Sequence, residues 1–292
     1  MELIKVGEKT YYIKNATNIG VYKIDEENVY LIDTGNDKDA GKKILKIMDA
    51  QEWKVKGIIS THSNADHIGG NKLIQDRTAC PVYAYGMEKC FTEYPIMEPS
   101  FLFAGFPIKD LQNKFLLAKE SVVTDINHNL PEGLEYFSLK GHFFDMIGIK
   151  TEDNIYFLAD SLVSEDTIRK YHVFFLYDVK EYLKTLDFLA TLNGKLYIAS
   201  HCEATDNIIP IIEANRNKVN EICNTICSLC EEEITFEDIL QKVFELYNLS
   251  MNANQYVLIG STIKSYLSYL YEEGRMEFEF KNNKMLWKRI NS

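Results

Sequence analysis

The chain has 292 residues, of which 46% are hydrophobic and 26% are charged, and its formal net charge is -11. This composition predicts a globular protein with one large core and a small second core, and the negative charge argues against broad attraction to nucleic acid or anionic membrane. No apolar run approaches the ~20 residues that span a bilayer, and residues 1–5 lead into a strand pattern instead of a signal peptide, so we expect a cytoplasmic protein without a membrane segment.

The first half of the chain alternates strand and helix patterns. Residues 1–35 read as a strand meander that ends at Asp33-Thr34-Gly35, residues 40–53 have helical spacing, and residues 55–60 form a short apolar run typical of a buried strand. A short helix is expected after Gly70, followed by a strand over 80–85. Residues 90–112 are aromatic and contain three prolines, which predicts a loop whose phenylalanines serve either the core or a lid over a substrate pocket.

Strand patterns return over residues 121–126, 134–142, 144–152 and 154–161. An amphipathic helix is predicted over 179–194, and a further strand over 195–200. Two strand-rich halves, each followed by helices, indicate an α+β fold in which two sheets pack face to face with helices outside.

The composition changes near residue 208, and we place a boundary there between domains 1–207 and 208–292. The second part predicts a long helix over 207–230, a capping box at Thr235, two more helices and a closing hairpin, which is winged-helix order. Residues 231–292 hold seven Lys/Arg against ten Asp/Glu, whereas a wing that reads DNA is usually basic. We therefore expect this domain to serve packing, pocket closure or homodimer formation, and not nucleic-acid binding.

One cluster of polar residues points to chemistry. His62, Asp66 and His67 lie within six positions directly after the strand over 55–60, and further candidates follow or end later strands, namely His142, Asp160 and His201. Strand ends can gather such side chains at one sheet edge. Imidazole and carboxylate are the ligands of zinc and non-haem iron sites, so the pattern predicts a metal centre.

The stretch THSNADHIGG over 61–70 resembles the His-x-His-x-Asp-His signature of the metallo-β-lactamase superfamily. The resemblance extends to IDTG at 32–35, Gly-His at 141–142, Ala-Asp at 159–160 and Ser-His at 200–201, and it covers about residues 1–205. It implies a four-layer αββα sandwich with a metal site between the sheet edges, most simply of one or two zinc ions. The C-terminal part is similar to the winged-helix segment of some β-lactamase-like hydrolases.

The resemblance also implies a role for each residue. A first metal would be held by His62, His142 and the residue at position 64, a second metal by Asp66, His67 and His201, and both by Asp160. A hydroxide between the metals would attack the substrate, because a divalent metal lowers the pKa of its water to roughly 7. Asp66 would orient that nucleophile as the catalytic residue, and Asp33 would support the ligand loop from behind.

The departure from the signature is Asn64, which stands where a histidine is expected. A carboxamide offers only a weakly basic oxygen, so the first site loses much of its affinity while the second stays intact. Three outcomes follow: a single metal in the second site, a pair completed by the Asn64 oxygen or by water, or a preference for iron or manganese over zinc.

Several functions are compatible with this pattern. The leading hypothesis is a metal-dependent hydrolase of a small or medium ester, lactone, thioester or phosphoester, with a small-molecule substrate. The alternative is a metal-binding or regulatory module with little turnover on the same fold. A nucleic-acid-processing hydrolase is disfavoured by the acidic charge, and a true β-lactamase by the expected cytoplasmic location.

Overall fold

The computed structural model describes residues 1–127 and 129–290. Its first sheet has seven strands, and neighbours in the sheet are also neighbours in the chain. These strands are Glu2–Lys5 (β1), Thr10–Lys14 (β2), Ile19–Lys23 (β3), Asn28–Ile32 (β4), Lys54–Ile59 (β5), Val82–Ala84 (β6) and Val123–Asp125 (β7). The strands β1 to β4 pair antiparallel, as the predicted meander requires, and β4 to β7 pair parallel, so the carboxyl ends of β4, β5 and β6 share one edge.

The second sheet has four strands in the order β11-β10-β9-β8. They are Leu134–Ser138 (β8), Ile147–Thr151 (β9), Ile155–Ala159 (β10) and Leu196–Ala199 (β11). The strands β10 and β11 are parallel, and the register between them shifts at Phe157 and Ala159. Ala159 has a φ of +48°, which a non-glycine residue rarely adopts, and this bulge redirects the chain where the strand ends.

Ten α-helices connect and cover the sheets in the described part of the chain. They are Lys38–Ala50 (α1), Ala65–Ile68 (α2), Asn71–Thr78 (α3), Met87–Glu93 (α4), Met97–Phe103 (α5), Glu165–Tyr171 (α6), Val179–Leu189 (α7), Ile209–Leu229 (α8), Phe236–Leu246 (α9) and Ala253–Glu272 (α10). A 3₁₀ helix spans Lys109–Leu111.

The prediction of a loop over residues 90–112 is wrong, because α5 and parts of α4 lie there. Pro99 falls in the first turn of α5, where its missing N–H costs nothing. Phe101 then holds the helix by packing edge-on against Phe144 and Tyr177, with ring centroids 5.2 and 5.7 Å apart. The helix α6 was also not predicted.

The layers follow from three hydrophobic clusters. One lies between the two sheets and takes Ile32 and Ile59 from the first sheet and Ile149 and Phe157 from the second. A second cluster packs α1 and α3 on the outer face of the first sheet, and a third packs α7 and α8 on the outer face of the second. The predicted αββα four-layer sandwich is therefore confirmed.

The C-terminal part adds a three-stranded sheet in the order β12-β14-β13, made by Ile234–Thr235 (β12), Met276–Lys281 (β13) and Lys284–Arg289 (β14). Thr235 caps α9 by accepting a hydrogen bond from the N–H of Asp238, so the predicted cap is present. The helices α7 to α10 share one hydrophobic cluster, in which Tyr266 and Leu270 are fully buried. The winged-helix interpretation and the boundary at 207/208 stay predictions. Among the described residues, no helix combines the length and the apolar content needed to cross a bilayer.

Candidate metal centre

The fold brings the predicted ligands to one cleft at the sheet edges. His62 and Asn64 lie in the loop after β5, and Asp66 and His67 lie on α2. The other three come from the second sheet: His142 lies in the turn between β8 and β9, whereas Asp160 and His201 follow the parallel strands β10 and β11.

Asp160 lies at the centre of this group and is 8% exposed. Its Oδ1 is 3.2 Å from Nε2 of His67. Its Oδ2 is 3.6 Å from Nε2 of His142 and 3.4 Å from Nε2 of His201. One buried carboxylate thus faces three imidazoles.

Two sets of three side chains have ligand atoms close enough to share a cation. One is His62, His67 and Asp160, and the other is Asp66, His67 and His201, with the atoms of each set within 4.8 Å of one another. His67 belongs to both, whereas the family resemblance implied a place for it in the second site alone. The ring centroids of His62 and His67 are 3.9 Å apart, and those of His62 and His142 are 5.2 Å apart.

Each imidazole is anchored through Nδ1 and turns Nε2 towards the cleft. His201 and His142 donate from Nδ1 to the carbonyl oxygens of Ala16 at 2.8 Å and Phe175 at 3.1 Å. The Thr61 hydroxyl donates to Asp33, so it accepts from Nδ1 of His62 at 3.1 Å. When the imidazoles are neutral, this pattern fixes the tautomer and turns the Nε2 lone pairs into the cleft, as metal ligands require.

Three buried atoms in the cleft find no hydrogen-bond partner among residues 1–127 and 129–290: Nε2 of His62, Nε2 of His67 and Oδ1 of Asp160. The last two are only 3.2 Å apart, but their geometry does not form a hydrogen bond. A buried polar atom without a partner costs about 1–3 kcal/mol, and a divalent cation would satisfy all three. The residues present therefore fit a metal.

Asp33 supports the ligand loop from behind. It follows β4 and is 2% exposed. Its carboxylate accepts hydrogen bonds from the N–H and the hydroxyl of Thr61, at 2.8 and 2.7 Å, and from Nδ1 of His67 at 2.8 Å. Its φ of +63° is strained for a residue other than glycine, which places the strain directly beside the cleft.

The ionisable groups in the cleft shift one another's pKa values. Burial alone would lower the pKa of His67, but the carboxylates of Asp160 and Asp66 outweigh it and raise that pKa well above its ordinary value. Burial and the neighbouring His67 lower the pKa of His62 well below its ordinary value. Burial opposes ionisation of Asp160, yet His201 and His67 hold its pKa well below the usual range. The cleft therefore stabilises positive charge beside ionised carboxylates.

Sequence reasoning missed three groups that hold this site. The Thr17 hydroxyl donates to Oδ2 of Asp66 at 3.2 Å. Glu88 is fully buried and accepts hydrogen bonds from Ser63, and Glu98 accepts one from Asn64. Nothing in the local sequence distinguishes these residues from surface threonines and glutamates, because only the tertiary fold brings them to the ligand loop.

The side chain of Asn64 interacts with residues outside its own helix. It is the N-cap residue of α2, a position where asparagine normally accepts a hydrogen bond from its own helix, but its side chain forms no cap. Instead its Nδ2 donates to Oε1 of Glu98 at 2.8 Å, and its Oδ1 lies 3.1 Å from Nε2 of His142. The carboxamide thus faces the ligands.

The C-terminal helix α10 contacts the segment that anchors His142. The Leu176 N–H donates to the Thr262 hydroxyl at 3.3 Å, and the Ser265 hydroxyl donates to the carbonyl of Tyr177 at 2.8 Å. Both bonds hold the two residues directly after Phe175, whose carbonyl accepts the Nδ1 hydrogen bond of His142. Hydrogen bonds therefore connect α10 to His142 through residues 175–177.

A cavity of about 470 Å³ opens beside His201, on the exposed side of the cleft. The other lining residues are Ala16 and four residues of α6, namely Asp166, Thr167, Lys170 and Tyr171. The volume suits a small or medium organic molecule.

The comparisons with known proteins agree with this architecture. The family model for the metallo-beta-lactamase superfamily matches residues 13–201. A beta-lactamase domain protein from Burkholderia ambifaria superposes with a TM-score of 0.75 at 15% identity, covering 99% of this chain and 94% of that one. A metallo-beta-lactamase family protein from Thermus thermophilus gives a TM-score of 0.69 at 17% identity, covering 99% and 97%. A search of curated proteins gives no match to this sequence.

Proposed function

The chain belongs to the metallo-beta-lactamase superfamily, whose members are generally metal-dependent hydrolases, and we propose that it hydrolyses a small or medium ester, lactone, thioester or phosphoester. The observation that carries this proposal is the set of three buried, unpaired ligand atoms on His62, His67 and Asp160; a cavity lies beside the neighbouring candidate ligand His201.

We assign the ligands as follows. Asp66, His67 and His201 would hold one metal, at what we call the second position. His62, His142 and Asn64 would hold the other, at what we call the first position. Asp160 faces both. Two imidazoles and two carboxylates complete the second position for zinc, and iron or manganese are the alternatives.

The protein supplies the charges and contacts around the reacting groups. When bound, a divalent metal supplies a water of lowered pKa and polarises the group to be cleaved. Burial opposes ionisation of Asp66, but His67 and His201 outweigh it and hold its pKa well below the usual range, so Asp66 is ionised and accepts a hydrogen bond from the attacking water. The Thr17 hydroxyl holds Asp66 in that orientation, and the cavity beside His201 accommodates the substrate.

Asn64 makes the two metal positions unequal. A carboxamide oxygen is a weaker ligand than an imidazole nitrogen, so the second position fills first and holds its metal more firmly. We expect fewer than two firmly bound metals per chain at limiting metal, and we expect Asn64→His to raise both the occupancy and the hydrolytic rate.

The experiment begins with elemental analysis of protein purified without added metal. A panel of esters, lactones, thioesters and phosphodiesters is then tested with and without a chelator. Turnover that the chelator abolishes and added Zn²⁺ restores supports the proposal. Protein that binds metal but turns over none of these substrates would favour the regulatory module. Two tightly held metals in the natural protein, unchanged by Asn64→His, would refute the inequality.

A further inference from the structure

Asn64 can serve the first metal position in only one of its two side-chain orientations. Its Oδ1 carries lone pairs, whereas the amide nitrogen has none to offer a metal. The two orientations occupy nearly the same volume, so packing cannot choose between them. The hydrogen-bond partner of Nδ2 must therefore determine the orientation, and this partner is Glu98.

Glu98 is placed for this role. It is the second residue of α5, and it is 5% exposed. Its Oε1 accepts the Nδ2 hydrogen of Asn64 at 2.8 Å, and Asn64 is the one hydrogen-bond partner of the Glu98 side chain in the described residues. No lysine or arginine of those residues pairs with it within 4.0 Å. A buried carboxyl group without a cation is costly, so its single contact calls for a functional explanation.

The helix that carries Glu98 is held rigidly. Leu102 of α5 is buried in a cluster with Leu111, Leu116 and Val257 of α10, and Phe101 packs on Phe144 and Tyr177. The distance between Glu98 and the ligand loop is therefore fixed by the core. A ligand orientation set by a rigid neighbour is the usual role of the outer partners of metal ligands.

We propose that Glu98 is a positioning residue, which fixes the Asn64 carboxamide so that Oδ1 faces His142 and the first metal position. This inference rests on the proposed metal-dependent function. A carboxylate oxygen accepts from Nδ2 and has no hydrogen to offer Oδ1, whereas a glutamine carboxamide can bind either atom. It follows that glutamine can replace Glu98 only in part and that an apolar residue cannot replace it.

The test is calorimetric titration of the metal-free protein with Zn²⁺, which requires no turnover and so stays decisive if no substrate is found. The natural protein should show one tight and one weaker binding event. Glu98→Leu should raise the Kd of the weaker event about 10–100-fold and leave the tight event unchanged. Glu98→Gln should lie between the natural protein and Glu98→Leu, because its amide can accept from Nδ2 or donate to Oδ1. Glu93→Leu is the control, because the carboxylate of Glu93 on α4 accepts from the N–H of Val123 instead.

A double-mutant cycle isolates the route of the effect. In the Asn64→Ala background, Glu98→Leu should no longer change the weaker event, since Glu98 acts only through Asn64. If Glu98→Leu does not fold, Glu98→Met takes its place in both experiments. Any of four results would overturn the proposal. In Glu98→Leu, the Kd of the weaker event could be unchanged, or both positions could lose affinity equally. Glu98→Gln could be as impaired as Glu98→Leu, or the effect of Glu98→Leu could persist in the Asn64→Ala background.

Discussion

The carboxyl group of Glu88 accepts hydrogen bonds from two segments that carry candidate ligands, and it gives a prediction about how stability depends on pH. Its Oε2 accepts hydrogen bonds from the N–H and the hydroxyl of Ser63, at 2.9 and 2.6 Å, in the loop that carries His62. Its Oε1 accepts from the N–H of Asp145 at 2.8 Å, in the turn that carries His142. Burial raises the pKa of Glu88 to about 7, although the hydrogen bonds from Ser63 and Asp145 act in the opposite direction.

The sign of the pH effect follows from this pKa. Between pH 4.5, the ordinary pKa of glutamate, and about pH 7, the folded protein keeps a proton on Glu88 that the unfolded chain has lost. The contribution to stability is therefore complete below pH 4.5 and is lost as the pH rises through 7. At about 1.4 kcal/mol per pH unit, the loss amounts to about 3 kcal/mol.

Urea unfolding of the natural protein and of Glu88→Gln measures this effect between pH 4.5 and pH 8, with a chelator present. Glutamine does not titrate, and its amide nitrogen replaces one acceptor oxygen of Glu88 at every pH. The free energy of unfolding of the natural protein minus that of the variant should therefore fall by about 3 kcal/mol over this range. The control is Glu2→Gln, at the exposed first residue of β1. A flat or rising difference for Glu88 would show that the buried carboxylate is ionised as readily as in water, and the reasoning would be refuted.

Three further predictions concern the site, its backbone and the charge of the chain. Asp66→Asn should lower the hydrolytic rate by about 10²-fold or more, measured on the substrate that the panel identifies, while circular dichroism stays unchanged. Gly141→Ala should lower the free energy of unfolding by about 2–3 kcal/mol in urea titrations, because φ is +120° there and a Cβ would lie 2.3 Å from the backbone N of Tyr182; Gly274→Ala, with φ of +68° and open space, should cost only about 1 kcal/mol. The full chain should not bind duplex DNA at physiological salt in fluorescence anisotropy, and tight binding would contradict the argument from its charge of -11.

Much of the fold could be predicted from the sequence, because strand-length apolar runs ending in polar residues mark both sheets. The cleft could be predicted for the same reason, since His142, Asp160 and His201 follow or end such runs. The support from Asp33 was implied by the resemblance, through the stretch IDTG at 32–35. These features are local in sequence, and local patterns are what a single chain displays most plainly.

The groups that orient the ligands could not be predicted, because they lie far away in sequence. Glu98 is 34 residues from Asn64, and it lies on a helix whose proline and aromatic residues led us to predict a loop. Thr17 is 49 residues from Asp66, in a turn without a motif. The helix α6, which lines the cavity beside His201, has no buried residue and so gives no apolar periodicity.

The hydrogen bonds from α10 to residues 176 and 177 bear on how this protein can be produced and redesigned. A fragment that ends at residue 207 would retain every candidate ligand, yet it would lose Thr262 and Ser265 and expose the apolar faces of Leu176, Tyr182 and Leu186. Such a fragment should aggregate, and α10 would no longer hold the segment whose Phe175 carbonyl accepts a hydrogen bond from His142. The smallest useful expression unit is therefore the whole chain, and a chimaera that exchanges the C-terminal helices must preserve the surface of α10 that faces this segment.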